Sequence, residues 1–274
     1  MGLKLEGDLV LAGAGNMGGA MLAGWLAGGL DPKRIVVQDP APPPAIAELL
    51  SRHGIKAHGT LPEGGGPPAV LLMAVKPQIM DEVFPALAKR AGPGTLVLSI
   101  AAGKTIASFE RHLAPGIAVV RSIPNTPAAV GRGITVAAPN RHVTVAQRAL
   151  CDALLGAIGE VGWVDDEALI DPVTAVSGSG PAYVFYLTEC LAAAGVKAGL
   201  APDLAMRLAR ATVAGSGELM RQSELGPDQL RKNVTSPNGT TFAALQVLMA
   251  EKGLEPLMTE AVAAATRRSR ELAS

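Results

Sequence analysis

Short apolar runs alternate with amphipathic stretches through the first half of the chain. Residues 9–12, 35–38, 70–75, 95–100 and 117–120 are dominated by Leu, Val, Ile and Ala. Runs of that length predict strands, and the lack of polar alternation in most of them predicts strands covered on both faces. A shorter strand is expected at 55–57, and further ones at 133–138 and 161–164. Between them, residues 17–27, 40–50, 78–89, 105–112 and 146–155 carry helical spacing or helix-start residues. Gly28 and Gly29 end the first of these, where helix C-termini favour glycine, and Thr105 is placed to cap the fourth. Strand and helix in alternation predict a parallel, doubly wound sheet. From about Asp166 the strand-like runs stop and helical periodicity continues. The chain therefore divides into an α/β domain over 1–165 and an all-helical domain over 166–274. Residues 183–194 are apolar nearly all round, so their helix is expected to be buried on more than one face, in part against a second subunit.

The glycines after the first strand add a binding site to this fold. Gly13, Gly15 and Gly18 spell G-x-G-x-x-G between a strand and a helix, the context that a dinucleotide fingerprint needs. Gly13 allows a tight turn, Gly15 lets backbone approach a pyrophosphate, and Gly18 lets helix and strand pack closely. The helix start adds free N–H groups and partial positive charge. Asp39 ends the second strand in the slot where a Rossmann site holds an acid for the ribose 2′-OH. Ligands of open parallel sheets bind beyond the carboxyl ends of the strands. Three more segments at such ends have unusual chemistry: Ala74-Val75-Lys76-Pro77, Ala101-Ala102-Gly103 and Pro124-Asn125-Thr126-Pro127. Small residues in the second let a flat ring lie against backbone, and the prolines of the third stiffen the loop around the Asn125 amide and Thr126 hydroxyl.

The helical domain holds two more candidates. Val176-Ser177-Gly178-Ser179-Gly180-Pro181 places small residues before a helix with proline in its first turn. Thr235-Ser236-Pro237-Asn238-Gly239-Thr240-Thr241 joins two helices and presents backbone N–H groups at the start of the second, which suits a carboxylate. Together they favour a small anionic substrate.

Composition narrows the setting. Of 274 residues, 49% are hydrophobic but only 3% aromatic, which fits a core of small aliphatic side chains. Lys plus Arg and Asp plus Glu each number 24, so nothing points to nucleic acid or an acidic membrane surface. Cys151 and Cys190 fall in different predicted helices with no partner motif, which reads as two structural thiols in a reducing, cytoplasmic setting. Lys4, Glu6 and Asp8 interrupt the start before a signal-peptide core could form. The most apolar helix, 181–200, contains Glu189 and Lys197 and is not expected to span a bilayer. No metal-ligand spacing occurs, and His53, His58, His112 and His142 read as structural.

At these residues the chain resembles the pyrroline-5-carboxylate reductases. The matching pieces are GAGNMGGAM, AVKP, SIAAGKTI, PNTPAAVGRG, VSGSGPAY and SPNGTTFAAL, in order along nearly the whole chain, and the last two are the specific ones. The resemblance implies an N-terminal Rossmann domain, a C-terminal helical dimerisation domain and a homodimer that often builds a decamer. It implies reduction of Δ1-pyrroline-5-carboxylate to L-proline by NADPH or NADH, the last step of proline biosynthesis. Carried over by motif, Gly13, Ala14, Gly15, Asn16, Met17 and Gly18 hold the cofactor with Asp39, Ala74, Val75, Lys76, Pro77, Ala101, Ala102 and Asn125. Ser179, Asn233, Ser236, Gly239, Thr240 and Thr241 hold the substrate, with Thr241 nearest the ring nitrogen. Glu224 matches a position near the active site and joins Thr241 as a candidate catalytic residue. Where the family usually has Gly-Gly, this chain has Asn238-Gly239, and Asn tolerates the left-handed conformation. The loop at 59–68 is unusually rich in Gly and Pro.

Protonation at nitrogen activates the imine, so no strong buried acid is required. Asp39 bears on cofactor choice in one of two ways. A carboxylate about 4 Å from a 2′-phosphate repels it by roughly 4 kcal/mol at an effective dielectric of 20, which favours NADH. Alternatively, Asp39 turns to solvent beside Pro40 and does not select. Two rivals remain. A β-hydroxyacid dehydrogenase has a similar layout but places a catalytic lysine in the helix after the second-domain glycines, where this chain has none before Lys197. A nicotinamide-binding sensor would need a blocked substrate loop, and 236–241 is intact.

Overall fold

The computed structural model describes residues 3–62 and 64–273. Glu63, in the Gly- and Pro-rich loop at 59–68, lies outside the described residues. The order is β1 (Leu9–Ala12), α1 (Asn16–Ala27), β2 (Ile35–Gln38), α2 (Pro44–Arg52), β3 (Ala57–His58), β4 (Val70–Met73), α3 (Met80–Ala88), β5 (Leu96–Ser99), α4 (Ile106–Glu110), β6 (Ala118–Ile123), β7 (Gly133–Pro139), α5 (Val145–Leu155), β8 (Gly159–Trp163) and α6 (Ile170–Val173). There follow α7 (Gly180–Lys197), α8 (Pro202–Gln222), α9 (Pro227–Asn233), α10 (Thr240–Leu248) and α11 (Leu254–Ala273).

The eight strands form one sheet in the order β3-β2-β1-β4-β5-β6-β7-β8. Strands β1 to β6 pair in parallel, and β1, β4, β5 and β6 are buried along their whole length, while β2 and β3 toward the edge are only partly covered. Leu9, Leu11, Leu72, Leu98 and Val120 face a cluster with Trp25 and Leu154. Val10, Leu71, Met73, Val97 and Val119 face Phe84, Leu87 and Phe109 on the other side. There the rings of Phe84 and Phe109 meet edge to face at 4.9 Å, the favoured aromatic geometry. This two-sided cover is why the strands read as continuous apolar runs.

One part of the sheet differs from the expected all-parallel form. β7 runs antiparallel to β6, while β8 is parallel to β7. Residues 124–132 link β6 to β7 through a 3₁₀ turn, too short for the crossover that a parallel pair requires. Elsewhere the apolar run at 70–75 leaves the sheet at Met73, and the helix expected from 78 opens as a 3₁₀ turn over Pro77–Ile79. Thr105 caps α4 as expected, its side chain accepting from Ser108 N–H.

Residues 3–178 and 265–273 form one compact unit and residues 179–264 another. The sequence pattern changes at Asp166, but the unit with the sheet continues to Gly178. Ile170 is fully buried with Ile123 and Ala138, which ties α6 to the sheet. Residues expected as a loop at 176–178 are wound into a π turn over Thr174–Gly178. In the second unit α7 and α8 pack through small residues: Ala192, Ala205 and Ala209 are buried, and a Cβ at Gly195 would lie 3.3 Å from that of Ala205. The sequence predicts α7 buried on more than one face, yet within the chain its buried residue is Ala192, while Phe185 and Tyr186 are 62% and 66% exposed. Among the described residues, no helix is long and apolar enough to cross a membrane.

Candidate active site

The order of the strands builds the first part of the site. β1 lies between β2 and β4, so successive connections diverge from it and open a crevice at its carboxyl end. Five segments leave neighbouring strands at that edge: 13–18 after β1, Asp39 after β2, 74–77 after β4, 101–103 after β5 and 124–127 after β6. The strands stay paired to the point of departure. Gly13 N–H donates to Gln38 O (2.8 Å), Ala74 N–H to Ala12 O (2.7 Å) and Ile100 N–H to Met73 O (3.1 Å).

The glycine loop fits a dinucleotide. Gly13 has φ +92°, and a Cβ there would fall 2.7 Å from the Ala74 carbonyl carbon. A Cβ at Gly18 would collide with the Gly13 carbonyl oxygen, so α1 approaches the loop only because that residue is glycine. Gly15 is different: nothing lies within 4 Å of its Cβ position. That open space is what a pyrophosphate close to backbone needs. Gly15 is also the N-cap of α1 and supplies no side-chain cap, leaving the helix start to an anion.

Asp39 is turned onto this loop rather than into solvent. Its Oδ2 accepts from Ala14 N–H (2.7 Å) and its Oδ1 from Ala41 N–H (2.9 Å). Ala101 is buried and its N–H donates to Ser99 Oγ (3.2 Å), while Ala102 is exposed and Lys76 is exposed at the start of its turn. Asn125 has a structural duty that the sequence reading did not assign, since its Oδ1 accepts from Ile134 N–H (2.9 Å) and fastens the loop to β7.

The second unit gathers the 233–241 segment. α9 ends at Asn233, whose Oδ1 accepts from Gln229 Nε2 (2.8 Å). Asn238 takes φ +57°, the left-handed conformation expected for it, and lets the chain turn into α10. Ser236 O accepts from Gly239 N–H (3.1 Å) and closes the turn. No side chain caps α10, so the N–H groups of its first turn have no side-chain acceptor. Thr240 is exposed and Thr241 half-buried there. Glu224 lies in the link between α8 and α9, and Ser179 precedes α7, so the candidate substrate residues occupy three places along this unit.

Other reactive side chains are occupied elsewhere. Burial pushes the Cys151 thiol up to about 12, so it stays protonated and inert. His112 stacks edge-on against Phe84 at 6.0 Å, and His142 Nε2 accepts from Arg141 Nε. Among the described residues, no cluster of three or more potential metal ligands occurs. Sequence reasoning passed over one feature: Arg121 is 2% exposed within β6. Its signal was an arginine directly after the apolar run at 117–120.

Residues 9–103 match the family model described as NADP oxidoreductase coenzyme F420-dependent, and residues 167–272 match Pyrroline-5-carboxylate reductase dimerisation. The pyrroline-5-carboxylate reductase of Pseudomonas aeruginosa is 41% identical over 265 residues, covering 97% of this chain and 96% of its own. That of Synechocystis is 41% identical over 97% of this chain and 98% of its own. The solved structure of a pyrroline-5-carboxylate reductase from Coxiella burnetii superposes with a TM-score of 0.90 at 33% identity, covering 98% of this chain and 99% of that one.

Proposed function

The chain belongs to the pyrroline-5-carboxylate reductase family, and on that premise we propose how its residues divide the reduction of Δ1-pyrroline-5-carboxylate to L-proline. The observation that carries the reading is the glycine loop, whose backbone leaves open space only at Gly15, together with an uncapped α10 start. NADPH or NADH supplies the hydride that reduces C5 of the cyclic imine. Residues 13–18 hold the pyrophosphate, Asp39 faces the ribose, and 74–77, 101–102 and Asn125 line the nicotinamide end. The first-turn N–H groups of α10 hold the substrate carboxylate, flanked by Asn233, Ser236 and Thr240. The Thr241 hydroxyl orients the ring nitrogen, with Glu224 and Ser179 as further substrate-side groups. The iminium loses its positive charge on reduction, so orientation and fixed dipoles supply the catalysis.

Loss of NAD(P)H absorbance tests this reading, with pyrroline-5-carboxylate, pyrroline-2-carboxylate and the reverse oxidation of a 3-hydroxy acid run side by side. Rapid turnover of the first alone is expected. Reduction of only the isomeric imine would overturn the substrate assignment.

The dimerisation match and the exposed apolar face of α7 support a homodimer, and the family resemblance supports assembly to a decamer. Phe185→Glu is expected to weaken association on the order of a thousandfold. The twofold interface would lose two phenylalanine side chains worth about 2 kcal/mol each. Light scattering reads the result, a decamer being ten times the 27.9 kDa chain. An unchanged mass at micromolar concentration would exclude α7 from the interface. The unpaired cysteines and NAD(P)H chemistry support a cytoplasmic setting.

A further inference from the structure

The buried arginine of β6 leads to a part of the molecule that the reaction has not used. A guanidinium in an apolar strand costs several kcal/mol unless it is paired. Arg121 Nη1 donates to Glu167 Oε1 at 3.0 Å, and its Nη2 is 3.9 Å from Asp171 Oδ1. Its Nε and Nη2 are buried without a hydrogen-bond partner. The cation is therefore held chiefly by charge, between one acid in the turn before α6 and one within α6.

Both acids have second duties, and these converge on one loop. Glu167 Oε1 also accepts from Ile106 N–H at 2.8 Å. Ile106 is the first residue of α4 and directly follows the 101–105 loop. Asp171 Oδ1 accepts from Ser269 Oγ at 2.7 Å. Ser269 is 8% exposed and is the buried residue of α11 among the described residues. Three residues on, α11 touches the loop itself: a Cβ at Gly103, where φ is +72°, would lie 2.9 Å from the Leu272 carbonyl oxygen. On the third side Lys104 Nζ pairs with Asp81 Oδ2 at 2.8 Å, which holds the Asp81 carboxyl below its usual value.

We propose that the last turns of α11 are a strut for the cofactor loop at 101–105, with Ser269 as a positioning residue that acts through Asp171, Arg121 and Glu167. The proposal rests on the reading that Ala101 and Ala102 lie at the nicotinamide end of the cofactor. The strut fixes backbone and touches no reacting atom. Gly103 allows the Leu272 carbonyl to approach closely, and the buried ion network sets where Asp171 meets α11. Its loss leaves 101–105 free to sample positions that bind the nicotinamide poorly.

The test is a fluorescence titration of full-length protein with NADH and with NADPH, paired with steady-state kinetics. Ser269→Ala is expected to weaken cofactor affinity about tenfold, the scale of one hydrogen bond to a charged acceptor. KM for the imine stays within twofold, and Ser269→Thr, which keeps the hydroxyl, restores affinity to within about threefold. Removal of residues 269–274 is expected to match or exceed Ser269→Ala. A purely structural role would lower Tm and active fraction without moving the cofactor dissociation constant. Cofactor affinity within twofold of the parent in both Ser269→Ala and the truncation overturns the strut. Failure of the parent protein to bind either dinucleotide overturns the cofactor reading and the strut with it.

Discussion

Thr241→Ala is expected to lower kcat by roughly ten- to a thousand-fold, the scale of one positioned donor removed from a reacting centre. Affinity for NAD(P)H is expected to stay within about twofold, because the residues assigned to the cofactor belong to the sheet unit. Thr241 is the second residue of α10, half-buried behind an uncapped helix start. Alanine is the strongest helix former, so the substitution removes a hydroxyl without threatening the helix. The carboxylate site proposed above uses backbone N–H groups, which the variant keeps, so the loss is expected to fall more on kcat than on KM. Thr241→Ser keeps the hydroxyl and is expected to retain most of the activity. Unchanged kinetics in the alanine variant would remove Thr241 from the mechanism.

Thr241 is singled out by the resemblance at SPNGTTFAAL; the turn before it is legible in the sequence because its surroundings are local. A turn of Ser, Pro, Asn and Gly followed by an apolar helix determines its own geometry, down to the left-handed Asn238. The glycine loop is legible for the same reason: strand, tight turn and helix start are consecutive, and Gly13 and Gly18 answer to neighbours within a few residues or at the end of the adjacent strand. The buried parallel strands announce themselves by composition.

What the sequence hid is non-local. The reversal of β7 depends on β6 running on through Arg121 and Ser122 to Ile123, past the end of the apolar run, which shortens the linker below the length of a crossover. The end of the first unit at Gly178 depends on Ile170 meeting Ile123 and Ala138 across the fold. The Arg121 network joins four segments, and Ser269 and Asp171 are 98 residues apart. Among the arginines and acids at the end of α11, nothing in the sequence marks Ser269 as the residue that turns inward. The exposure of α7 is the converse case: its apolar pattern was plain, but within the chain Phe185 and Tyr186 stay exposed.

Asp39 is where a local reading left two outcomes and the structure favours one. Its carboxylate accepts from the N–H groups of Ala14 and Ala41, so it is fastened at the end of β2 beside the glycine loop rather than free in solvent. A 2′-phosphate brought to about 4 Å would meet repulsion of roughly 4 kcal/mol at an effective dielectric of 20. No Arg or Lys follows Asp39 in the chain until Arg52, which is 4.0 Å from Glu48. Asp39 is half-exposed, and solvent and salt reduce the full figure. The expected preference is therefore for NADH, by about ten- to a hundred-fold in kcat/KM. Asp39→Ser and Asp39→Asn are expected to shift the NADPH to NADH ratio of kcat/KM upward by a similar factor. Asn keeps an acceptor for the Ala14 N–H and removes only the charge, so it separates electrostatic selection from damage to the loop. A fall in activity with both cofactors in Ser but not in Asn would assign the hydrogen bond a structural role. An unaltered ratio in both variants would mean that Asp39 does not select, and that the ribose is read elsewhere on the sheet edge.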